Sequence, residues 1–238
     1  MLLTAEAAIA DPPGATTVLM IDVLRASTTI IAALGNGCAA IVLVADADEA
    51  RERARALGPG AVIAGERRGE PLAGFDLGNS PHEFTADRVR GRTVVLTTSN
   101  GTRALLAARS AAAVGVAALV NLGAAAGWAL AQRRDVVALC AGERGAPSLE
   151  DHVCAGLLVE RLMREEPRAE PSRAAAQAVL LAGRYGKDVA RLAEDSAWAR
   201  HLVARGRGAD VAACLMLDTT TLVPVLRPDV DNVVVAFR

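Results

Sequence analysis

Short apolar runs rich in β-branched residues alternate with longer alanine- and leucine-rich stretches through the first two-thirds of the chain. Short runs bounded by turn residues are typical of buried strands, and the longer stretches are typical of helices that cover a sheet. The predicted strands are 16–21, 40–44, 61–64, 93–97, 113–120 and 136–140, and the predicted helices are 26–36, 47–57, 102–108 and 122–132. This alternation predicts βαβ units and a mainly parallel sheet with helices on both faces.

The pattern changes after Ser148. A helix is predicted over 150–165, and 172–205 is largely helical apart from two glycine interruptions; strand patterns return at 211–217 and 232–237. We therefore expect an α/β protein, layered α/β/α, with a mainly parallel or mixed sheet and a more helical C-terminal third. The 238 residues suit one domain over 1–238, within which about 150–208 could form a helical subdomain.

Composition narrows the classes of function. Hydrophobic residues make up 52% of the chain and charged residues 22%, which is typical of a folded globular protein. The formal net charge of −1 gives no electrostatic case for nucleic-acid binding. Aromatic residues make up only 3%, which argues against stacking platforms for single strands. We expect no nucleic-acid partner.

Cysteine and histidine positions give little support to a zinc site. The four cysteines are widely spaced without a Cys-x-x-Cys pair, and the three histidines are scattered. Free thiols in a reducing cytosol are the expected state. The chain shows neither a signal-peptide pattern nor an apolar run of about 18 residues, so we expect a cytoplasmic protein without a membrane partner. A homodimer is the default expectation for assembly.

The segment from Gly65 to Pro81 is the most unusual part of the sequence. A connection of this length without predicted structure is uncommon in a compact domain and is usually functional or disordered. Leu72, Phe75 and Leu77 are large apolar residues that we expect to be buried, which argues against disorder. We interpret this segment as a loop that binds anions and a metal.

Three further predicted strands end in polar clusters, at 22–29, 97–103 and 141–151. Ligands of open parallel sheets bind outside the carboxyl ends of the strands, so these clusters and the long loop predict one site built from several loops. Simpler roles remain open for single residues. Ser80 and Ser148 begin capping-box patterns, Asp22 could cap a helix, and Asn100 with Gly101 could form a tight turn.

The chemistry of the clusters favours a polyanionic ligand. Arg25, Arg67 and Arg103 offer planar donor forks for phosphate, carboxylate or sulfonate. Hard carboxylate oxygens that suit Mg²⁺ come from Asp22, Glu66, Asp76, Glu150 and Asp151. A P-loop is absent from the sequence. Asp22 could be a phosphorylated nucleophile, but Leu24 stands where the aspartyl-phosphatases carry a second acid, so a metal-binding role fits at least as well.

As a set, the motifs resemble the signatures of the 2-phosphosulfolactate phosphatases. They are Ile21-Asp22-Val23-Leu24-Arg25-Ala26-Ser27-Thr28-Thr29, Gly65-Glu66-Arg67, Gly74-Phe75-Asp76-Leu77-Gly78-Asn79-Ser80-Pro81, Thr98-Ser99-Asn100-Gly101-Thr102 and Ser148-Leu149-Glu150-Asp151. The similarity runs from Val18 to about Gly156 and continues more weakly through Asp210 and Pro224. Ser99 departs from the family's Thr-Thr-Asn-Gly-Thr signature, although a hydroxyl is retained.

The resemblance implies a magnesium-dependent phosphatase that converts 2-phospho-3-sulfolactate to 3-sulfolactate and phosphate, a step in coenzyme M biosynthesis, on a fold peculiar to the family. The partner would be a small anionic phosphorylated substrate. Three alternatives stay open: a phosphatase for another small phosphorylated acid, a non-catalytic protein that binds an anionic metabolite, and a structural α/β subunit.

The expected site has three sets of residues. The catalytic set is Asp22, Arg25, Glu66, Asn100, Arg103 and Asp151. The substrate-binding set is Ser27, Thr28, Arg67, Asp76, Asn79, Ser80, Ser99, Gly101 and Thr102. The Mg²⁺ ligands are Asp22, Glu66, Glu150 and Asp151, directly or through water. In this hypothesis Arg25 and Arg103 hold the phosphoryl group, and Arg67, with Asn79 and Ser80, holds the acid groups.

Overall fold

The computed structural model describes residues 14–143, 145–186, 188–230 and 232–237, together with the backbone of a strand near the N-terminus. The strands are β1 (Leu2–Glu6), β2 (Thr17–Ile21), β3 (Ala40–Leu43), β4 (Ala61–Arg67), β5 (Glu70–Pro71), β6 (Thr93–Thr97), β7 (Ala113–Ala117), β8 (Val136–Cys140), β9 (Glu170–Pro171), β10 (Pro224–Arg227) and β11 (Val233–Ala236). The helices are α1 (Ala26–Gly35), α2 (Ala47–Leu57), α3 (Ala86–Val89), α4 (Gly101–Ala107), α5 (Leu122–Ala131), α6 (Leu149–Glu165), α7 (Arg173–Ala182), α8 (Leu192–Asp195), α9 (Ala197–Ala204) and α10 (Gly208–Cys214).

The strands form one mixed sheet in the order β5-β4-β6-β3-β11-β10-β7-β2-β8-β1-β9. Strands β4, β6 and β3 pair in parallel, as do β7, β2, β8 and β1. The hairpin of β10 and β11 joins these two groups through antiparallel pairings. Because three antiparallel pairings lie between β3 and β7, the two parallel halves run in opposite directions along the ladder.

Alternating side chains show how the halves are layered. In β2, Val18 and Met20 belong to one apolar cluster, and Leu19 and Ile21 belong to another. The first cluster also contains residues of β3, β4 and β6 and of helices α1 and α4. These two helices therefore lie between the halves of the sheet. Helix α2 covers the outer face of the half that contains β3, β4 and β6. Helices α5, α6 and α7 cover the outer face of the half that contains β7, β2, β8 and β1.

The predicted α/β class with a mixed sheet and a helical C-terminal third is confirmed. The predicted strand at 211–217 is wrong, because 208–214 forms helix α10. Val211, Cys214 and Leu215 are buried at helical spacing, and so short an apolar run does not distinguish strand from helix. The loop predicted to begin at Gly65 is also partly structured, since β4 extends to Arg67 and pairs with β5.

Helices 173–182 and 197–204 and the final strand fall within the predicted segments, whereas β10 was not predicted. The single-domain arrangement remains a prediction. Side chains of 192–211 join the same apolar cluster as β2 and β8. In the described part of the chain, no helix has the length and apolar character needed to span a membrane.

Candidate active site

A cleft with a cavity volume of about 50 Å³ lies where β2, β4 and β6 end and where helices α1 and α4 begin. The lining residues are Asp22, Leu24, Arg25, Glu66, Arg68, Gly69, Asn79, Ser99, Asn100, Glu143 and Trp198. Residues far apart in the sequence therefore share one cavity, as the strand-end clusters predicted.

Asp22 follows β2 and is only 8% exposed. Its Oδ1 accepts a hydrogen bond from the Ala26 amide at 3.1 Å, and its own amide donates to Ser27 Oγ at 2.9 Å. Burial raises the pKa of Asp22 from 3.8 to about 7, and the carboxylates of Glu66 and Glu150 add to this shift. The Ala26 amide and Arg25 oppose it. A buried acid with a pKa near neutrality is characteristic of functional sites.

Gly101, the first residue of α4, approaches Asp22 closely. A methyl group at Gly101 would stand 2.7 Å from Asp22 Oδ2 and 2.6 Å from Ala26 Cβ. We expect Gly101→Ala to displace the Asp22 carboxylate and to lower kcat by at least about 10-fold, because misplaced reacting groups lose their alignment. Steady-state kinetics measure this, and Gly127→Ala, with open space around the new methyl group, is the matched control. Unchanged kcat in Gly101→Ala would show that the position of Asp22 is not critical.

Arg25 is buried and held by two partners. Its Nη1 donates to Asp210 Oδ2 at 2.6 Å, and its Nη2 donates to the Gly69 carbonyl at 2.9 Å. Ser80 Oγ donates to the other oxygen of Asp210 at 2.5 Å. Each terminal nitrogen of a guanidinium carries a second hydrogen, so Arg25 keeps donors for a ligand in the cleft. Asp210 thus fixes a cleft arginine.

Glu66 binds neighbouring loops together. Its Oε2 accepts from the Gly69 amide at 2.6 Å, and its Oε1 accepts from the Ser99 amide at 2.7 Å. Ser99 Oγ also donates to Oε2 at 3.2 Å. These bonds attach the turn after β4 to the segment after β6. The carboxylate therefore lines the cleft and also orders it.

Asp151 and Glu150 lie at the start of α6, outside the residues that line the cleft. Asp151 accepts from the amides of Val23 at 2.8 Å and Gly142 at 3.1 Å. Burial raises its pKa well above the ordinary value, and Asp22 and Glu150 contribute. Burial also raises the pKa of Glu150, whose Oε2 has no hydrogen-bond partner among the described residues. Both acids belong to the same buried electrostatic cluster as Asp22.

The predicted substrate-binding residues divide into two groups. Asn79, Ser99 and Asn100 line the cleft, with Gly101 beside Asp22. Ser27, Thr28 and Thr102 are buried and bond to the protein itself: their hydroxyls donate to the carbonyls of Met20, Val23 and Thr98. Ser80 bonds to Asp210. The second group shapes the loops that surround the cleft.

Three more predicted site residues also lie outside the cleft. Arg67 donates to the Glu66 carbonyl at 2.8 Å and to Thr97 Oγ1 at 2.9 Å. Asp76 is exposed and accepts from the Ile63 amide at 2.9 Å. Arg103 is exposed and borders a neighbouring depression. The structure therefore does not bring Arg67, Asp76 or Arg103 into contact with the cleft that holds Asp22.

Five cleft residues are absent from the predicted site sets: Leu24, Arg68, Gly69, Glu143 and Trp198. Arg68 comes directly after β4 and begins a turn with a φ of 55°, so strand periodicity does not predict which of Arg67 and Arg68 faces the cleft. Trp198 Nε1 donates to the Leu24 carbonyl at 2.9 Å, a contact across 174 positions. No local signal in the sequence predicts such a contact.

Comparison with known proteins agrees with the motifs. A family model described as 2-phosphosulpholactate phosphatase matches residues 3–229. Similar proteins include probable 2-phosphosulfolactate phosphatases from Thermotoga petrophila (36% identical over 220 residues, 91% of each chain) and Clostridium acetobutylicum (33% over 208 residues, 87% of this chain and 88% of the other). Another is that of Gloeobacter violaceus (41% over 207 residues, 86% and 85%). The chain therefore belongs to the 2-phosphosulfolactate phosphatase family, whose members are phosphoric monoester hydrolases.

Proposed function

We propose that this chain hydrolyses 2-phospho-3-sulfolactate to 3-sulfolactate and phosphate, with Mg²⁺ as cofactor, in the cleft beside Asp22. The observation that carries the proposal is the convergence of Asp22, Arg25 and Glu66 on one cavity. Membership of the family supports the substrate. A three-carbon acid with phosphate, carboxylate and sulfonate groups requires such a compact polar site.

The charges of the cleft favour a bound cation. Carboxylates of Asp22, Glu66 and Glu143 line the cavity, against the guanidinium groups of Arg25 and Arg68. The acids outnumber the bases, so a polyanionic substrate would be repelled at close range without an added positive charge. A divalent cation held by these acids would remove that repulsion.

The carboxylate oxygens of the cleft are the type of ligand that magnesium prefers. Asp22 and Glu66 present hard oxygens, and the Oε2 atom of Glu150 is buried without a partner among the described residues. Across that same part of the chain, no three His, Cys, Asp or Glu side chains form a ready-made metal group. Mg²⁺ commonly takes one or two protein carboxylates and fills its remaining positions with water and substrate phosphate. Asp22 and Glu66 would hold it from the cleft, with Glu150 and Asp151 contributing through water or charge.

Mg²⁺ held by Asp22 and Glu66 would supply a Lewis acid that polarises a phosphoryl oxygen and neutralises charge in the transition state. Arg25, fixed by Asp210 and Gly69, donates to the phosphoryl oxygens. Asp22 either accepts a proton from the attacking water or attacks phosphorus itself. Rapid quenching followed by borohydride reduction separates these routes, because only an aspartyl-phosphate is an acyl phosphate that borohydride reduces, which converts Asp22 to homoserine.

The substrate is tested by phosphate release from 2-phospho-3-sulfolactate, 2-phospholactate and 3-phosphoglycerate, each with Mg²⁺. We expect the highest kcat/KM for 2-phospho-3-sulfolactate. A higher value for another acid would assign the protein to that substrate. Ligand binding can be monitored by the fluorescence of Trp198 in the cleft. If these acids bind but no phosphate is released, the chain is a metabolite-binding protein instead.

We expect the stability of the metal-free protein to fall as pH rises from about 4 to about 7. Burial raises the pKa of Asp22 to about 7, so the folded state keeps a proton that the unfolded chain releases near its ordinary value of 3.8. The stability due to that proton is present below about 4 and is lost as pH rises through about 7. Thermal unfolding at pH 5.5 and pH 8 measures this, with Mg²⁺ raising Tm more at pH 8 because the cation replaces the proton. Equal Mg²⁺ shifts at both pH values would contradict cation binding at this acid.

A further inference from the structure

A second depression adjoins the cleft and is continuous with it. Its lining residues are Ala45, Asp46, Arg67, Arg68, Thr98, Ser99, Asn100 and Arg103. Arg68, Ser99 and Asn100 also line the cleft. A ligand whose phosphate occupies the cleft can therefore extend another group past these three residues into the depression.

The depression carries positive charge that the protein itself does not neutralise. Within the described part of the chain, neither guanidinium of Arg68 and Arg103 has a hydrogen bond or a carboxylate partner. Arg67 is engaged with the Glu66 carbonyl and Thr97. Asp46, the one acid among the lining residues, accepts from the Asp48 and Glu49 amides as the cap of α2. Two unpaired guanidinium groups thus border the same open volume.

The backbone of Arg68 shows that a side chain is kept there at a conformational cost. Its φ of 55° lies in the left-handed region, which glycine adopts without strain. The turn is held by the Arg68 amide, which donates to Ser99 Oγ at 3.1 Å, and by the bonds of Glu66 to Gly69 and Ser99. A non-glycine residue held in this conformation beside a ligand cleft indicates a functional side chain.

We propose that Arg68 and Arg103 form a subsite for the sulfonate of the substrate. The inference rests on the proposed function, which puts the phosphate beside Asp22 and Arg25. In 2-phospho-3-sulfolactate the sulfonate is one carbon from the ester carbon, which matches a depression that shares its edge with the cleft. A tetrahedral sulfonate has three oxygens and can accept from two guanidinium forks on different loops, whereas a planar carboxylate is matched by one fork.

Three substrates test the subsite: 2-phospho-3-sulfolactate, 2-phospholactate, which lacks the sulfonate, and 2-sulfoethyl phosphate, which lacks the carboxylate. We expect Arg68→Gly and Arg103→Ala each to raise KM for the two sulfonates by about 10-fold or more, since charged hydrogen bonds are lost. In both variants the rise in KM for 2-phospholactate should be clearly smaller than the rise for the two sulfonates. Glycine preserves the φ of residue 68, and Arg109→Ala, an exposed arginine outside both depressions, is the control.

Equal losses for all three substrates would overturn the inference, and so would a loss confined to the two carboxylates. Binding of 3-sulfolactate and of lactate, followed by Trp198 fluorescence, gives an answer that does not depend on hydrolysis. One outcome is that the unmodified protein releases no phosphate while Arg68→Gly weakens the binding of 3-sulfolactate but not that of lactate. In that case the proposed function fails and the subsite stands. If hydrolysis proceeds and both variants keep their preference for sulfonates, the subsite alone fails.

Discussion

Asp22→Asn is expected to lower kcat for phosphate release by about 10³-fold while leaving the fold intact. The amide retains an oxygen that can accept from the Ala26 amide, so the local structure is preserved. It removes the negative charge needed to hold a cation, to accept a proton or to attack phosphorus, and loss of such a group typically costs about 10²–10⁴-fold. Phosphate release with saturating Mg²⁺ is the measurement. Turnover near that of the unmodified protein would exclude Asp22 from the mechanism.

The same variant is expected to be more stable than the unmodified protein at pH 8 without metal. The ionised Asp22 carboxylate is disfavoured by burial and by Glu66 and Glu150, and asparagine removes that unfavourable charge. Each kcal/mol gained raises Tm by about 2–4 °C in a chain of this size. Asp87→Asn, which changes an exposed acid on α3, is the matched control and should leave Tm and turnover unchanged. A lower Tm in Asp22→Asn would contradict the buried charge that we describe.

The largest expected loss of stability is that of Asp210→Ala. Asp210 is 4% exposed, and it binds Arg25, 3% exposed, and Ser80. Its removal leaves a buried guanidinium without its carboxylate, which typically costs about 3–5 kcal/mol. We expect Tm to fall by about 10 °C or more. KM for the substrate should also rise, because Arg25 is no longer held against the cleft.

Two variants show whether the effect comes from burial of the ion pair. Asp229→Ala breaks the exposed pair with Arg227, which water screens, so its Tm should stay within experimental error of the unmodified protein. Ser80→Ala removes only the hydroxyl donor to Asp210 and should cost about 1 kcal/mol. If Asp210→Ala were as stable as Asp229→Ala, the buried pair would not stabilise the cleft.

The strand-end motifs were predictable because their signal is local. Asp22 follows an apolar strand, and Ser99 and Asn100 lie between β6 and α4, so these residues were placed correctly beside one cleft. The route by which they meet was not predictable. The hairpin of β10 and β11 reverses the direction of the sheet, and α1 and α4 are packed between its halves. These are long-range pairings, and hydrophobic periodicity does not specify strand order.

The direction of individual side chains was the second feature that could not be predicted from the sequence. Arg67 and Arg68 are adjacent and chemically alike, yet only Arg68 lines the cleft, since the left-handed turn at residue 68 sets its direction. Asp210 lies in a segment that was expected to precede a strand, so its contact with Arg25 could not be anticipated. Glu66 and Asp151 were chosen as metal ligands from their chemistry. Their bonds to backbone amides depend on how the loops fold around them.

Phosphate release from 2-phospho-3-sulfolactate, measured with Mg²⁺ and again after chelation with EDTA, tests the central claim most directly. The cleft described here predicts release with Mg²⁺, a loss of at least about 100-fold on chelation, and recovery when Mg²⁺ is restored. Release that is equally fast in EDTA, or no release with Mg²⁺, would contradict a magnesium-dependent phosphatase built around Asp22.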